Sequence, residues 1–473
     1  MGSCKTCCQN IPTRYIIMAM IFFTTFINYT TRTNMSVSLP AMVLSGTTSQ
    51  VAECETDEVK SSTNTTTKSK SEEVTGTKYE WNQAVQGLIL GAYFYGYLMC
   101  SLPGGLVAEW VGPYLTIILA TALSGVLNSL GVWLTSLHWG ALFGTRFFIG
   151  ACGAFIYPAL QCVVGRWAPP QERSKFLACL MGNNLGTCWT WMVGGIVTQY
   201  YKWPWGFHVM SFQIVIFCIV FGLLMFDSPE QHPWITDEEL KYIKESQEGT
   251  VSRTKSIPPY KAIFKSFAFW TLCVLHFGNL WGLYVQITAV PKFMKEYIGF
   301  DIKNSGILSS LPHLVRVFMG LGFGFLGDYL KRQFRRILII KSFIVLSHII
   351  PGILLGIIGL AKCNTTVVVT LLTLSMSING ATVVTNLAIP TDLSPNFAGT
   401  IFGIISFIGG TTGFIVPSVT GALITKFGNN SIAWRTVFAL GGIMYCSCGL
   451  FFILFGTADI QPWNEKRRTE EES

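Results

Sequence analysis

The chain has 473 residues, of which 50% are hydrophobic and only 12% are charged, and its mean hydropathy is +0.46. These values exclude an ordinary water-soluble globular protein, because so much apolar surface requires a lipid environment. The formal net charge of +8 is not concentrated in a basic stretch interleaved with aromatic residues, so it does not indicate a nucleic-acid-binding surface.

Apolar windows of about 20 residues, the length that crosses a hydrocarbon core of about 30 Å, recur along the whole chain. They lie near residues 14–34, 84–108, 113–136, 139–165, 175–200, 206–226, 267–291, 304–327, 336–360, 366–390, 398–425 and 434–457. The sequence therefore predicts an all-α membrane protein with about twelve transmembrane helices.

The first window is too long for a removable signal peptide and contains Asn28 and Arg32, so we expect it to remain in the membrane. A polar loop at 45–80 follows it and contains a glycosylation sequon at Asn64. A second sequon, at Asn364, falls between windows nine and ten. With twelve spans both sequons lie on one side of the membrane, which we expect to be extracellular or luminal.

Lysine and arginine residues give an independent orientation, since short cytoplasmic loops are enriched in them. They cluster between windows four and five, between windows eight and nine, and after window twelve: Arg166, Arg173, Lys175, Lys331, Arg332, Arg335, Arg336, Lys466, Arg467 and Arg468. Lys292, Lys295 and Lys303 on the opposite side are an exception. We therefore expect both termini to be cytoplasmic.

A polar segment at 227–266 divides the windows into two sets of six. Its capping-box sequence Thr-Asp-Glu-Glu at 236–239 predicts a short amphipathic helix at the cytoplasmic surface. Weak internal symmetry relates the two sets, because residues 105–109 after window two resemble residues 324–328 after window eight. Parallel six-helix repeats are typical of transporters that bind substrate between two halves. The predicted organisation is a cytoplasmic N-terminus (1–13), a bundle (14–226), a linker (227–266), a second bundle (267–457) and a cytoplasmic tail (458–473).

Three windows contain an arginine beyond their first two residues. An ionised arginine near the bilayer centre costs about 2.5–3.5 kcal/mol on insertion scales, so it normally faces a polar cavity and has a function. Arg32 shares a helical stripe with Thr25, Asn28 and Ser36, which predicts a face that lines water or substrate. Arg316, in window eight, is predicted to have a structural or gating role.

Arg146 lies near the start of window four, and Gly150 and Gly153 follow it on the same face, which leaves room for an anion. A guanidinium stays charged at physiological pH and binds carboxylate or phosphate through two parallel hydrogen bonds. Two alternatives remain: Arg146 only anchors the end of its helix, and Arg32 is paired with a backbone carbonyl as a packing device.

Several stretches carry a resemblance to a known family. Gly324-x-x-x-Asp328 followed by Lys331 and Arg332 resembles the loop motif of the major facilitator superfamily, whose fold is two six-helix bundles. Four stretches resemble its anion:cation symporter group: Asn-Tyr-Thr-Thr-Arg-Thr-Asn-Met-Ser-Val at 28–37, Trp-Ala-Pro-Pro-Gln-Glu-Arg-Ser at 167–174, Ser-Pro-Glu-Gln-His-Pro-Trp-Ile at 228–235 and Leu-Pro-His at 311–313. That group includes sodium-phosphate cotransporters, sialin and vesicular glutamate transporters, and the chain most resembles the inorganic phosphate cotransporters.

This resemblance implies that Arg32 and Arg146 bind the substrate. We include Asn28, Tyr157 and Asn279 in the predicted substrate site. Asn279 also marks a departure from the group, because it stands where the glutamate transporters have an arginine. Leu90 stands where those transporters have a histidine, so glutamate transport of that type is not expected.

A second departure concerns ion coupling. Gly153 stands where sialin and the glutamate transporters have an acidic residue, so proton coupling through that residue is not expected and sodium coupling or electrogenic uniport is favoured. His313 is a candidate proton carrier, although such a histidine is more often a buried hydrogen-bond donor. Candidate sodium ligands, whose usual role is instead to hydrogen-bond between packed helices, are Asn183, Asn184, Thr187, Asn379, Thr382 and Asn386.

The predicted function is secondary active transport of a small anion, inorganic phosphate or an organic anion, by sodium-coupled alternating access. Asp328, Lys331 and Arg332 are expected to form a cytoplasmic charge latch that favours one access state, with a simple topology signal as the alternative. The sequence lacks the motifs of phosphate-binding loops, zinc hydrolases and nucleophile elbows, so we expect neither an enzyme nor an ATP-driven pump.

We expect no cofactor or metal other than the coupling ion, Na⁺ or H⁺, and a monomer in the plasma membrane or an endolysosomal or vesicular membrane. Two other functions remain open. One is a proton- or potential-driven organic anion transporter, and the other is an anion sensor that does not transport.

Overall fold

The computed structural model describes residues 12–43, 77–247, 258–298, 302–361 and 364–464. The predicted sequon at Asn64 lies outside these ranges. The first long helices are α1 (Thr13–Met42), α2 (Gln83–Val111), α3 (Pro113–Thr135), α4 (Trp139–Trp167), α5 (Gly182–Tyr201) and α6 (Trp203–Leu224). Helices dominate the described ranges, where the β structure is an isolated bridge between Val43 and Tyr79, so the all-α prediction is confirmed.

Six further helical segments follow the linker. They are α7 (Phe267–Tyr284), α8 (Ile302–Gln333), α9 (Arg336–Ile344 and Ile350–Ile358), α10 (Thr365–Asn379), α11 (Ala398–Gly410 and Thr412–Phe427) and α12 (Ser431–Phe455). Shorter helices are Arg173–Ala178 before α5, Asp237–Gln247 and Tyr260–Lys265 in the linker, Val290–Phe293 after α7 and Ile389–Leu393 after α10. π-Helical turns occur at Val285–Ala289, Met294–Ile298 and Val345–Ile349.

Ten helices in the described ranges are long and apolar enough to cross a membrane. The two other long segments, α1 and α5, have 30 and 20 residues but carry many polar side chains. Most of these polar groups are buried between helices, including Thr24, Thr25, Asn28 and Arg32 of α1 and Asn183, Asn184, Thr187 and Thr190 of α5. A polar side chain is tolerated at membrane depth when it faces the protein interior, so the low hydropathy of α1 and α5 reflects their position inside the bundle.

The linker helix Asp237–Gln247 is docked on the start of α1. The Glu239 carboxylate accepts the backbone N–H groups of Thr13 (2.8 Å) and Arg14 (3.0 Å). The first N–H groups of a helix lack intrahelical partners and carry partial positive charge, so this carboxylate stabilises the start of α1. Thr236 accepts the N–H of Glu239 (3.3 Å), as the capping-box sequence predicts. We call this end of the molecule the linker end.

The two sets of helices meet where α8 packs on α5 and where α11 packs on α2 and α4. The approach of α2 to α11 is closest near the linker end. A Cβ atom placed on Gly105 would lie 2.8 Å from the carbonyl oxygen of Gly399, so this approach requires glycine. Thr400 also donates a hydrogen bond to the Glu109 carboxylate (3.0 Å) across the same contact. The linker end is therefore closed, and the space between the two sets lies further along the helices.

Candidate functional site

A cavity of about 60 Å³ lies between the two sets of helices, near the middle of their length. It is lined by Tyr29, Arg32, Tyr97, Tyr157, Leu180, Met181, Asn183, His276, Asn279, Leu280, Leu283, Tyr284, Arg316, Thr382, Asn386, Leu387, Phe402 and Ser406. Two of these described residues are arginines and none is Asp or Glu, so the cavity wall carries positive charge.

Arg32 projects from α1 into a cage of aromatic rings and is only 8% exposed. Its guanidinium carbon lies 4.9–5.5 Å from the ring centres of Tyr29, Tyr93, Phe94, Tyr97 and Tyr284. Nη1 donates to the Tyr29 hydroxyl (3.2 Å), and Nη2 donates to the Tyr284 hydroxyl. Aromatic faces attract the cation but supply no negative charge.

No carboxylate forms an ion pair with Arg32 in the part of the chain that the structure describes. A buried ion without a counter-charge costs several kcal/mol. The aromatic hydroxyls stabilise and orient the guanidinium but carry no charge that could neutralise it.

Arg146 does not line this cavity, in contrast to the substrate-binding position predicted for it. Its Nη1 and Nη2 atoms donate to the backbone carbonyls of Thr31 (2.8 Å) and Arg32 (3.0 Å). The Arg146 guanidinium, which the sequence predicted to bind an anion, is therefore hydrogen-bonded to α1. In this structure Arg146 positions the segment that carries Arg32, because it clamps two successive carbonyls of that helix.

Arg316 of α8 does line the cavity and is only 3% exposed. Nη1 donates to the side-chain oxygen of Asn184 (3.1 Å) on α5, and Nη2 donates to the Thr382 hydroxyl (3.3 Å) beyond α10. Nε is buried and has no hydrogen-bond partner among the described residues. Arg316 thus connects the two sets of helices and keeps donor capacity.

Two other members of the predicted substrate site line the cavity. Tyr157 stacks on Phe402 of α11, with ring centres 5.9 Å apart, and so joins α4 to the second set of helices. The side-chain oxygen of Asn279 accepts a hydrogen bond from Asn379 (3.1 Å). Asn28 is not in the lining and lies beside Gly153, at whose position a Cβ atom would be 3.4 Å from the Asn28 amide nitrogen.

Of the three predicted coupling residues, one lines the cavity and two do not. Asn386 lines the cavity, and its side-chain oxygen accepts from the Thr385 hydroxyl (3.0 Å). Asn184 and His313 lie behind Arg316, with His313 Nδ1 3.3 Å from the Asn184 oxygen. That oxygen already accepts from a guanidinium, so in this structure it is a poor ligand for a second cation.

The predicted latch residues lie at the linker end. The Asp328 carboxylate interacts with Ser174 and with the backbone of Lys175, both on the other set of helices, and electrostatically with Lys331. Arg332 donates to the backbone carbonyl of Gln171 (3.3 Å), also on the other set. These residues therefore bridge the two sets of helices at the linker end.

The remaining predicted residue, the sequon residue Asn364, is exposed at the start of α10. Its side-chain oxygen accepts the backbone N–H of Val367 (3.1 Å) and caps the helix.

The sequence-based prediction missed Tyr284 and His276, which both line the cavity from α7. Nδ1 of His276 is buried without a hydrogen-bond partner among the described residues. Tyrosines are frequent in apolar windows, so Tyr284 had no distinguishing signal in the sequence. His276 could have been found as an ionisable residue in a transmembrane window, the same signal that identified the arginines.

The sequence profile of the Major Facilitator Superfamily matches residues 21–417. Sheep (Ovis aries) sialin is 31% identical over 463 residues, with 97% of this chain and 91% of sialin covered. A Drosophila melanogaster protein proposed to cotransport inorganic phosphate is 28% identical over 475 residues, with 97% of this chain and 88% of that protein covered.

The solved structure of the proton:xylose symporter XylE superposes with a TM-score of 0.67 at 12% identity, covering 94% of this chain and 96% of XylE. At that identity the likeness shows the fold alone. The matched family consists of transporters, which confirms the expectation that the chain is not an enzyme.

Proposed function

Because the chain belongs to the major facilitator superfamily, we propose that it is a secondary active transporter of small anions that works by alternating access. One observation carries this proposal: the buried guanidinium of Arg32 faces a cavity between the two sets of helices and lacks a carboxylate partner among the described residues. Small anions such as inorganic phosphate or an organic acid have the negative charge that complements the positive charge of this cavity.

The relatives agree with an anionic substrate. The Drosophila relative is named for inorganic phosphate, and the stretches at 28–37, 167–174, 228–235 and 311–313 resemble the anion-transporter group that includes the sodium-phosphate cotransporters, sialin and the vesicular glutamate transporters. The substrate site consists of Arg32, Tyr157 and Asn279 in the cavity wall, with Arg146 and Asn28 supporting α1 and α4 behind it.

Sodium is the coupling ion in this proposal. No Asp or Glu lines the cavity in the described ranges, so a carboxylate that carries protons is not part of its wall. Asn386 supplies an amide oxygen at the cavity and is the favoured sodium ligand among the amide candidates. Proton coupling through His276 is the alternative, because this imidazole lines the cavity and its buried Nδ1 has no hydrogen-bond partner among the described residues.

The proposed topology places the linker end and both termini in the cytoplasm. The moving units are the bundles 14–226 and 267–457, joined by the linker 227–266, with segments 1–13 and 458–473 in the cytoplasm. Asp328, Lys331 and Arg332 hold the linker end closed in this state. The membrane is the plasma membrane or an endolysosomal or vesicular membrane, and the exposed Asn364 is glycosylated on its outer or luminal face.

Reconstitution of the purified protein in liposomes tests the proposal. Labelled phosphate and labelled small carboxylates are offered under a sodium gradient, a proton gradient or a membrane potential alone. We expect sodium-dependent accumulation of an anion, and Arg32→Gln should weaken it by about 100-fold or more, since breaking a buried charge pair costs about 3–5 kcal/mol.

Arg435→Gln is the matched control, because Arg435 is exposed on α12 and outside the cavity lining. Uptake that is equally fast without sodium would contradict sodium as the coupling ion but would leave the anion site in place. Binding without accumulation would identify a sensor. Full uptake in Arg32→Gln would remove the basis of the proposal.

A further inference from the structure

The second arginine of the cavity, Arg316, was not expected to contact substrate, but its surroundings resemble those of a ligand-binding group. It is 3% exposed, and its Nε atom is buried without a hydrogen-bond partner among the described residues. Its neighbours Asn184 and Thr382 are neutral, so they accept hydrogen bonds without compensating the charge. A buried guanidinium in such surroundings is strongly stabilised when an anion reaches it.

Arg32 and Arg316 lie on different walls of one cavity. Arg32 belongs to α1 and is held by Tyr29 and Tyr284, whereas Arg316 belongs to α8 and is held by Asn184 and Thr382. Among the described residues the two guanidiniums share no hydrogen-bond partner. Both nevertheless line the same cavity, and Tyr29 is part of its wall as well.

Two separated positive charges determine which ligand fits best. A monoanion bound at Arg32 leaves the charge of Arg316 uncompensated, because no Asp or Glu in the described lining can balance it. An anion with two separated negative groups neutralises both guanidiniums at once and links α1 to α8. Other hydroxyl and amide groups of the cavity wall, including those of Tyr157 and Asn279, suit a polar spacer.

From this geometry we infer that Arg316 is a second anion-binding and specificity-determining residue, and that the preferred substrate is a small dianion of the dicarboxylate class. The inference rests on the proposed anion transport, since it concerns the same cavity. It adds a second recognition point, on the other set of helices from Arg32.

The test compares dicarboxylates of three to five carbons with monocarboxylates of the same lengths, each as a competitor of labelled uptake in liposomes. The wild type should bind at least one dicarboxylate about tenfold or more tightly than the monocarboxylate of equal length. Arg316→Gln keeps hydrogen-bonding capacity for Asn184 but removes the charge. It should weaken that dicarboxylate by about 10- to 100-fold and change monocarboxylate affinity by less than about threefold.

Arg316→Lys restores the charge and should recover part of the preference, which a purely structural role would not produce. Arg32→Gln should weaken both classes of anion, and Arg435→Gln should change neither. Equal affinities for the two classes in the wild type, or equal losses for both in Arg316→Gln, would overturn the inference while anion transport stands. Uptake of phosphate but of no dicarboxylate would overturn it as well. If the wild type neither binds nor transports any anion, the proposed function itself fails.

Discussion

The close approach of α2 to α11 at the linker end offers a direct way to change the balance between access states. A Cβ atom on Gly105 would lie 2.8 Å from the carbonyl oxygen of Gly399 and 2.8 Å from Cα of Thr400. Both contacts are with backbone atoms, which cannot rotate away as a flexible side chain can. Gly105→Ala therefore forces the two helices apart wherever the linker end is closed.

The expected size of the effect follows from the cost of overpacking, which is about 1–3 kcal/mol for an inserted methyl group in a well-packed contact. The gain of about 0.5–1 kcal/mol from alanine in a helix applies to both access states and cancels between them. The closed linker end should therefore lose about 1–3 kcal/mol relative to the open one. That difference shifts the ratio of the two states by about 5- to 150-fold.

Cys162 reports this shift, because its sulfur lies 2.8 Å from the Cβ position of Gly399 within the same contact. A membrane-impermeant maleimide is added from the linker side, and modification of the Cys162 peptide is measured by mass spectrometry. Gly105→Ala should accelerate labelling at least fivefold and slow transport. The matched control is Gly87→Ala on the same helix, where a Cβ atom meets nothing within 4 Å. Labelling and transport at wild-type rates in both variants would refute the assignment of this contact to the closed state.

Three further outcomes are expected. Arg146→Gln should reduce transport by about tenfold or more without changing which anion is preferred. The substitution removes two charge-assisted hydrogen bonds of about 1.5–3 kcal/mol each and so frees the α1 segment that positions Arg32. Uptake kinetics with several anions check this. Tyr284→Phe keeps the ring over Arg32 but removes the hydroxyl that accepts from it, so anion affinity in a competition assay should fall by about 3- to 10-fold. Burial of His232 against the rings of Trp167, Phe226 and Trp234 lowers its pKa below its usual value near 6.5, so the folded state binds fewer protons than the unfolded state. The melting temperature should then be constant above about pH 6.5 and fall as the pH decreases below it, and His232→Gln should reduce that slope in thermal unfolding scans.

Hydropathy predicts where the chain crosses the membrane but not how each helix is built. The window at 366–390 is one apolar run, yet α10 ends at Asn379, where Gly380–Val383 forms a 3₁₀ turn. The window at 336–360 is interrupted by the π-helical turn Val345–Ile349. Lipid exposure depends on side-chain polarity, whereas these turns depend on backbone hydrogen bonds that hydropathy does not report.

The sequence predicted site residues only where the residue type is unusual for its surroundings, as a charged residue is in an apolar window. Arg32 stands out because a charge in an apolar window is costly, and the structure places it in the cavity wall. The same argument selected Arg146, but whether a guanidinium meets a ligand or two carbonyls of α1 depends on a contact between helices far apart in sequence. Tyr284 was missed for the opposite reason, since nothing in the sequence separates a tyrosine that lines a cavity from one that packs a core.

The position of the two guanidiniums on different sets of helices has a consequence for how a ligand drives alternating access. A ligand shifts a conformational equilibrium only by the difference between its affinities for the two states. An anion held without Arg316 makes fewer contacts with the second set of helices, such as that with Asn279 of α7, so it favours the enclosed state less. An anion held also by Arg316 makes its full set of contacts only when α1 and α8 enclose it together. It therefore stabilises the state in which both arginines face the cavity, as they do in this structure. A saturating dicarboxylate should accordingly slow labelling of Cys162 from the linker side more than a saturating monocarboxylate does, and Arg316→Gln should abolish that difference as well as the difference in affinity.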